Sequence, residues 1–395
     1  MVNRILLSTD IGSDIDDALC LLSMLNHPDI NLQGIYTVNG DVNSRSYIAR
    51  HMVNLRGARI PVIRGEQKPI AADTKPYTYY ESLLIDDSFL DKKKTEEENW
   101  NTLIYKNPER VGINTKGVEH LAKKLSKKKY TIFNISPLTN IAKLVQEYPE
   151  ESKNIEKIVM MGCEISEGRV EHNIRYDPGA ADIVFSSEIP LLIVPADVCD
   201  KYKASSEDLL KQMGNSKVGR YVKKMLLAFL GAKLAGEYRW YTAGGEGLDH
   251  ILKNLVLLRP PMQVIKELGS QKIYDLDKFK EITLANLDET SAYLDTEDFW
   301  VSFRKLIEQL RDPKLNYKLG EKASEVLESL IPKEVSVSDV YVPFCFLHPE
   351  KLKTERLTLS CDFNGRTLIL PRKKHEVVRY LDIDSLKEFL SKFIF

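Results

Sequence analysis

Four carboxylates lie close together near the start of the chain, at Asp10, Asp14, Asp16 and Asp17. They follow a short apolar segment that predicts a strand, and they precede apolar residues at helical spacing. Ligands of an open parallel sheet bind beyond the carboxyl ends of its strands. Anions packed there repel one another unless a cation or hydrogen-bond donors offset their charge. Because Ca²⁺ and Mg²⁺ prefer oxygen ligands, the cluster predicts a divalent-cation site.

Two other interpretations of this segment are open. One is a helix N-cap with a solvated turn, since Asp and Gly are common in both. We favour the cation site because the loop between Asp10 and Asp17 can bring several carboxylates round one centre. The other is a Mg²⁺ phosphohydrolase with Asp10 as its nucleophile. That chemistry lacks its second Asp, because Gly12 occupies the position two residues on.

The elements that position this cluster alternate between strand and helix. Short apolar segments predict strands at residues 4–8, 31–38, 60–63, 130–135, 155–161 and 190–195. Helical patterns between them are typical of parallel βαβ units. A hairpin with the turn Asn364-Gly365 is predicted over residues 356–370, and a last helix over 384–393. The fold class is therefore α/β, with an open, mainly parallel sheet flanked by helices.

Length and composition exclude several classes of protein. The chain has 395 residues, with 56 Lys and Arg against 57 Asp and Glu. That balance provides no basic field for nucleic acid or an anionic membrane. No apolar segment reaches the roughly 18 residues that a spanning helix needs. The five cysteines form no CxxC pair, which argues against a disulfide framework or a thiolate zinc site. We expect a cytoplasmic protein with no nucleic-acid or membrane partner.

The carboxylate cluster resembles that of a known family. Residues 10–18, Asp-Ile-Gly-Ser-Asp-Ile-Asp-Asp-Ala, are similar to the N-terminal aspartate cluster of the inosine–uridine preferring nucleoside hydrolases, in the branch with a slightly longer loop. Three further blocks resemble that family in the same order: residues 135–142, residues 171–174 with 177–178 after residues 158–162, and Asp339 with residues 341–343 and 348–349. The resemblance implies hydrolysis of the N-glycosidic bond of ribonucleosides to ribose and free base.

The resemblance also implies a Ca²⁺ site. Asp10 would be a Ca²⁺ ligand and the general base acting on the bound water. The other implied ligands are Asp17, the backbone carbonyl of Ile135, and Asp339. Asp249 is a rival for the position of Asp339, although the strand-like segments after Asp339 match the family better.

A ribose site follows from the same resemblance. Asp16, Glu171 and Asn173 would hold ribose hydroxyls, and Met161 would line the sugar pocket. Asp41 falls where many members place a ribose-binding Asn. The implied partner is a small-molecule nucleoside, and a homo-oligomer is left open.

The resembling blocks lie at both ends of the chain. We therefore expect residues 1–204 and 333–395 to form one nucleoside-hydrolase-like domain. Residues 205–332 are predicted to be a helical insertion or cap packed on it. In that insertion Tyr238, Trp240, Tyr241 and His250 could stack on and protonate a base, although core aromatics and a surface His are the plainer interpretation.

Several positions depart from the family pattern. Ser8 stands where the family usually has another Asp, and Ser338 stands where many members carry a His thought to help the leaving base. Arg169 lies near the place of a ribose-binding Asn, and Cys163 replaces a usual Gly. These departures leave open a catalytically weak relative that binds nucleoside or ribose as a sensor or interaction protein.

Overall fold

Strands make up the centre of the fold. This computed structural model describes residues 3–12, 14–70, 113–213, 216–223, 225, 226, 229 and 333–394. The strands are β1 (Arg4–Thr9), β2 (Asn31–Thr37), β3 (Val62–Arg64), β4 (Ile113–Asn114), β5 (Tyr130–Asn134), β6 (Ile155–Met161), β7 (Leu191–Val194), β8 (Lys203–Ser205), β9 (Glu334–Ser336), β10 (Leu352–Cys361) and β11 (Thr367–Leu381).

Helices connect these strands in the order that βαβ units require. They are α1 (Asp16–Asn26), α2 (Val42–Arg56), α3 (Gly117–Leu125), α4 (Thr139–Glu147), α5 (Pro149–Ser152), α6 (His172–Tyr176), α7 (Pro178–Ser186), α8 (Ala196–Cys199), α9 (Ser206–Gln212), α10 (Tyr341–Leu347) and α11 (Ile383–Phe393). Two short 3₁₀ turns, Ser338–Val340 and Pro349–Lys351, flank α10. Among the described helices, none has the length and apolarity that crossing a bilayer requires.

Within the described ranges, the larger sheet has nine strands in the order β10-β11-β7-β6-β5-β1-β2-β3-β4, and β8 pairs with β9 in a second, small sheet. Neighbours in the larger sheet run parallel, except the antiparallel hairpin of β10 and β11. The chain runs outward from β1 to β4 and then returns to β5 on the other side of β1. This reversal puts the topological switch point between the carboxyl ends of β1 and β5, where ligands of such sheets bind.

The core confirms the predicted α/β class and its buried parallel strands. All five residues of β5 and all but the first residue of β1 are buried. Such strands appear in the sequence as continuous apolar segments because helices cover both of their faces. The predicted elements at the amino end agree with β1, α1, β2 and α2 to within a few residues.

One strand is much longer than the sequence predicts. The second strand of the hairpin was expected to end at Leu370, but β11 continues to Leu381. Its second half pairs with β10 on one side and, through Glu376 and Val377, with β7 on the other. Charged residues such as Lys374 and Glu376 interrupt the apolar pattern by which a strand is predicted from sequence. A strand near the sheet's edge tolerates such polar side chains, whereas a central strand excludes them.

The two ends of the chain fold together. Met1–Val222 and Val335–Phe395 belong to one compact unit. The predicted boundaries at residues 204 and 333 stay a prediction, because most of the intervening segment lies outside the described residues. The aromatic residues 238–241, Asp249 and His250 also lie outside them.

Gly65 marks a point of close packing that predicts a stability effect. A Cβ atom at this position would overlap with the carbonyl oxygen of Thr37 and the side chain of Asn140. We expect Gly65→Ala to lower the free energy of unfolding by about 1–3 kcal/mol, as overpacked sites do. Urea denaturation measures this change.

A matched control is Gly57, which ends α2 in a left-handed conformation (φ = 72°) with no atom within 4 Å of an added Cβ. Gly57→Asn is expected to change the free energy of unfolding by less than about 0.5 kcal/mol, because Asn tolerates this conformation. Equal losses in the two variants would contradict the packing account.

Candidate active site

Three carboxylates meet at the carboxyl edge of the sheet. Asp16 and Asp17 open α1, and Asp339 lies in the 3₁₀ turn before α10. One carboxylate oxygen from each lies within 4.8 Å of the other two. Asp17 and Asp339 are buried, whereas Asp16 is partly exposed. The loop after β1 and a segment near the end of the chain therefore form one oxygen-rich group.

The electrostatics of this group call for a positive charge. Burial raises the pKa of Asp17 and of Asp339 well above its ordinary value, and the neighbouring carboxylates raise both further. Burial and the nearby Asp14 raise the pKa of Asp16 to about 8. A divalent cation would offset this repulsion, and an all-oxygen donor set suits a hard cation. The residues present therefore fit a metal site.

Asp10 lies beside these three carboxylates. It is buried directly after β1, and its charge raises the pKa of both Asp17 and Asp339. Asn39 Nδ2 donates a hydrogen bond of 3.0 Å to Asp10 Oδ2. The carboxylate therefore has a fixed neighbour on one side and the acidic group on the other.

Thr9 ties the end of β1 to the start of α1. Its hydroxyl donates to Asp17 Oδ1 over 2.5 Å and accepts from the Ile11 backbone N–H over 3.1 Å. This second contact fixes the hydroxyl so that its hydrogen points at the carboxylate. The side chain thus orients Asp17 and partly offsets the rise in its pKa.

Arg45 holds the backbone of the loops after β1 and β2 by hydrogen bonds. It is almost fully buried on α2, and its guanidinium donates to the backbone carbonyls of Asp10, Ile11 and Asn39, with distances of 3.1 Å to Ile11 and 2.7 Å to Asn39. Its positive charge also partly offsets the rise in the pKa of Asp17. Arg45 therefore fixes the backbone on either side of the site.

The predicted ribose residues beyond β6 lie together. The Glu171 carboxylate accepts hydrogen bonds from the backbone N–H groups of Asn173 (2.8 Å), Ile174 (3.0 Å) and Cys163 (3.3 Å), and it thereby caps α6. Asn173 Nδ2 donates to Met161 Sδ over 3.8 Å. Burial raises the pKa of Glu171, and these backbone donors counteract the rise. Glu171, Asn173 and Met161 therefore form one buried, hydrogen-bonded group at the end of β6.

Two other predicted residues, Asp41 and Ile135, form hydrogen bonds with backbone groups. The Asp41 carboxylate caps α2, accepting from the N–H groups of Asn43 (3.0 Å) and Ser44 (3.2 Å) and from the Ser44 hydroxyl (2.6 Å). Ile135 directly follows β5, and its N–H donates to the Ser8 carbonyl over 3.0 Å. Their roles toward ribose and a cation stay predictions.

The departures from the family pattern have local partners. The Ser8 and Ser136 hydroxyls share a hydrogen bond of 3.0 Å, and those of Ser336 and Ser338 share one of 2.6 Å. Cys163 has φ = 72°, a left-handed backbone that explains why Gly suits this position in the family. Arg169 forms ion pairs with Glu167 and Asp200 at the surface, at 2.9 and 2.7 Å.

A family model described as inosine-uridine preferring nucleoside hydrolase matches residues 5–250. The chain belongs to this family. It is 32% identical to the probable uridine nucleosidase 2 of Arabidopsis thaliana, over 56% of this chain and 68% of that relative. It is 31% identical to the pyrimidine-specific ribonucleoside hydrolase RihA of Escherichia coli O7:K1, over 58% of this chain and 72% of the relative.

Solved structures share the fold of this nucleoside hydrolase. A purine-preferring ribonucleoside hydrolase from Gardnerella vaginalis aligns with a TM-score of 0.58 and 17% identity, over 99% of this chain and 98% of that one. An inosine-guanosine nucleoside hydrolase aligns with a TM-score of 0.57 and 14% identity, over 100% and 99%. Family and fold together make the chain an N-glycosidase acting on ribonucleosides, as the sequence resemblance implies.

Sequence reasoning missed three residues of this nucleoside hydrolase's site. Thr9, Asn39 and Arg45 contact the acidic loop through a hydroxyl, an amide and a guanidinium. Thr9 could have been found, because it directly precedes Asp10 at a strand end. Arg45 carried no signal, since an Arg within a helix is ordinarily solvated.

Thr9 gives a prediction about cation affinity. Thr9→Val keeps the side-chain shape but removes the hydroxyl that orients Asp17, so we expect Ca²⁺ affinity to fall about tenfold, as with other residues that orient metal ligands. Isothermal titration calorimetry measures it. Thr9→Ser is the control, because it keeps the hydroxyl and is expected to bind nearly as tightly as wild type. Undiminished affinity in Thr9→Val would refute this role.

The raised carboxyl pKa values predict the pH dependence of stability without a cation. A carboxyl whose pKa is higher in the folded than in the unfolded state binds more protons when folded, so stability falls as pH rises from the unfolded to the folded pKa. With the pKa of Asp16 at about 8, we expect the unfolding temperature in EDTA to be higher near about pH 6 than near about pH 8.

Excess Ca²⁺, added as a hard-cation probe, is expected to cancel or reverse that difference, because a cation at this group would favour the deprotonated carboxylates. Asp339→Asn removes one like charge and is expected to flatten the pH dependence in EDTA. The account fails if the pH dependence is the same with EDTA and with Ca²⁺.

Proposed function

We propose that this nucleoside hydrolase is Ca²⁺-dependent and that Asp10 is its general base. Asp10, Asp17, Asp339 and the Ile135 carbonyl would hold the ion. When bound, Ca²⁺ would make the attacking water more acidic and offer coordination positions to the ribose diol. The observation that carries this proposal is the convergence of buried, mutually repelling carboxylates at the switch point of the sheet.

Asp10 takes a proton from the attacking water. The water oxygen bonds to C1′ of the ribose while the bond from C1′ to the base nitrogen breaks, and that electron pair leaves with the base. A positioned general base contributes about 10²–10⁴-fold to such a step. Burial beside the acidic group keeps the Asp10 carboxylate next to the place where the water would be activated.

Ribose is held on the open side of the group. Asp16 is the partly exposed member of the three carboxylates, so a substrate hydroxyl can reach it while Asp17 and Asp339 stay buried. Glu171 and Asn173 bind further hydroxyls beside Met161, and Asp41 lies at the next loop. These carboxylates also stabilise the positive charge that develops on the sugar as the base departs.

Uridine is the proposed first substrate. The relatives that are more than 30% identical to this chain include a probable uridine nucleosidase and a pyrimidine-specific ribonucleoside hydrolase. We propose the cytoplasm as the compartment of this reaction, and the five free cysteines support a reducing environment.

A second candidate is a relative that binds nucleoside with little turnover. It is favoured by the hydroxyl pairs at Ser8 and Ser338, which put neutral groups where many members have an Asp and a His. Ribose binding in calorimetry without release of base would support it. Turnover that disappears in an Asp10 variant would exclude it.

Asp10→Asn tests the proposed base. The amide cannot take a proton, so we expect kcat for uridine to fall about 10²–10⁴-fold. The measurement follows uracil release by absorbance with Ca²⁺, with EDTA, and with Ca²⁺ restored, where EDTA is expected to abolish the reaction reversibly. Asp29→Asn, at an exposed Asp in the turn before β2, is the matched control and is expected to retain activity. Unchanged turnover in Asp10→Asn would overturn the assignment.

A further inference from the structure

Asn39 has an unusual conformation and environment. It follows β2 with φ = 72°, in the left-handed region, which Asn tolerates better than most residues other than Gly. Its side chain is buried, and its Oδ1 has no hydrogen-bond partner among the residues that the structure describes. Buried polar groups are nearly always hydrogen-bonded in folded proteins, so an unsatisfied one points to a local role.

The surroundings hold Asn39 firmly in this conformation. Its backbone N–H donates to the Glu66 carbonyl over 2.8 Å, and its carbonyl accepts from Arg45 Nε over 2.7 Å. Arg45 also donates to the Asp10 carbonyl, so one guanidinium fixes both loops. Among the residues that the structure describes, the amide group is held by a hydrogen bond of 3.0 Å from Nδ2 to Asp10 Oδ2.

Asn140 shows what an amide does when its role is only structural. It is also buried and lies against the end of the same strand. Its Nδ2 donates to the Thr37 carbonyl over 3.1 Å, and its Oδ1 accepts from the Glu66 N–H over 2.9 Å. Both ends of that amide are satisfied by backbone, whereas Asn39 directs its donor to a carboxylate and its acceptor has no partner in the described part of the chain.

We propose that Asn39 is a positioning residue for Asp10. Its amide N–H holds Asp10 Oδ2 so that the carboxylate keeps one orientation toward the acidic group, and Arg45 fixes the backbone from which both side chains extend. The proposal rests on the proposed function of Asp10. It assigns to Asn39 no contact with the substrate.

Asn39→Gly removes the amide that holds Asp10 but keeps the left-handed backbone conformation. Gly adopts the left-handed conformation without cost, so the unfolding temperature in EDTA is expected to stay at or above that of wild type. The Ca²⁺ affinity measured by calorimetry is expected to fall about tenfold, and kcat for uridine about ten- to a hundredfold. KM is expected to change less than about threefold, because uniform substrate binding is not lost.

Two further variants sharpen the test. Asn39→Asp keeps shape and size but presents an acceptor to the Asp10 carboxylate, so its losses are expected to exceed those of Asn39→Gly. Asn140→Ala is the control for losing a buried amide, with a lower unfolding temperature but Ca²⁺ affinity and KM near wild type.

Wild-type kcat and Ca²⁺ affinity in Asn39→Gly would overturn the proposal, as would wild-type behaviour in Asn39→Asp. If the wild-type protein released no base from any ribonucleoside, the proposed function would fail, while the change in Ca²⁺ affinity would still decide the role of Asn39. Absence of Ca²⁺ binding by the wild type would overturn both.

Discussion

Repulsion among buried carboxylates at one edge of the sheet is the constraint on which the site depends. Asp17 and Asp339 are removed from water beside Asp16, and burial together with like charge raises the pKa of each. The hydroxyl of Thr9 and the charge of Arg45 offset only part of the rise in the pKa of Asp17. The remaining excess of negative charge favours a cation at this edge.

The sheet determines where that excess arises. Because the chain leaves β1 in one direction and returns to β5 on its other side, the connections at these two strand ends diverge and leave a crevice. The acidic loop begins at one strand end, and Ile135 lies at the other. Glu171 and Asn173, after β6, lie on the β5 side of the same edge. The helix caps at Asp41 and Glu171 set the directions in which α2 and α6 leave it.

Much of this could be predicted from the sequence, for reasons that differ between residues. The cluster from Asp10 to Asp17 is local, so a strand pattern before it and a helix pattern after it were enough to locate it. Asp339 is distant from this cluster in sequence, and it could be assigned to the same site only through the resemblance to a family. Asp41 was predicted from the resemblance to bind ribose, and its capping of α2 was not anticipated, because a carboxylate that caps a helix and one that binds a sugar look alike in sequence.

Other features depend on tertiary structure. The second half of β11 is polar because it lies near the sheet's edge, and its pairing with β7 could not be inferred from alternation of apolar residues. The buried guanidinium of Arg45 is explained only by three carbonyls that the folded loops bring to it. Left-handed backbone at Asn39 and Cys163 likewise follows from the loops' paths.

The position of Asp339 has a consequence for biosynthesis. This ligand candidate, α10 and the β10–β11 hairpin come from the last part of the chain, while the other carboxylates come from the first. A ribosome therefore exposes the acidic amino-terminal loop long before the segment that completes the group. Until the segment that carries Asp339 is translated, a nascent chain can form the first strands and helices but not the complete group of three carboxylates. Messages truncated before this segment would yield products without that group.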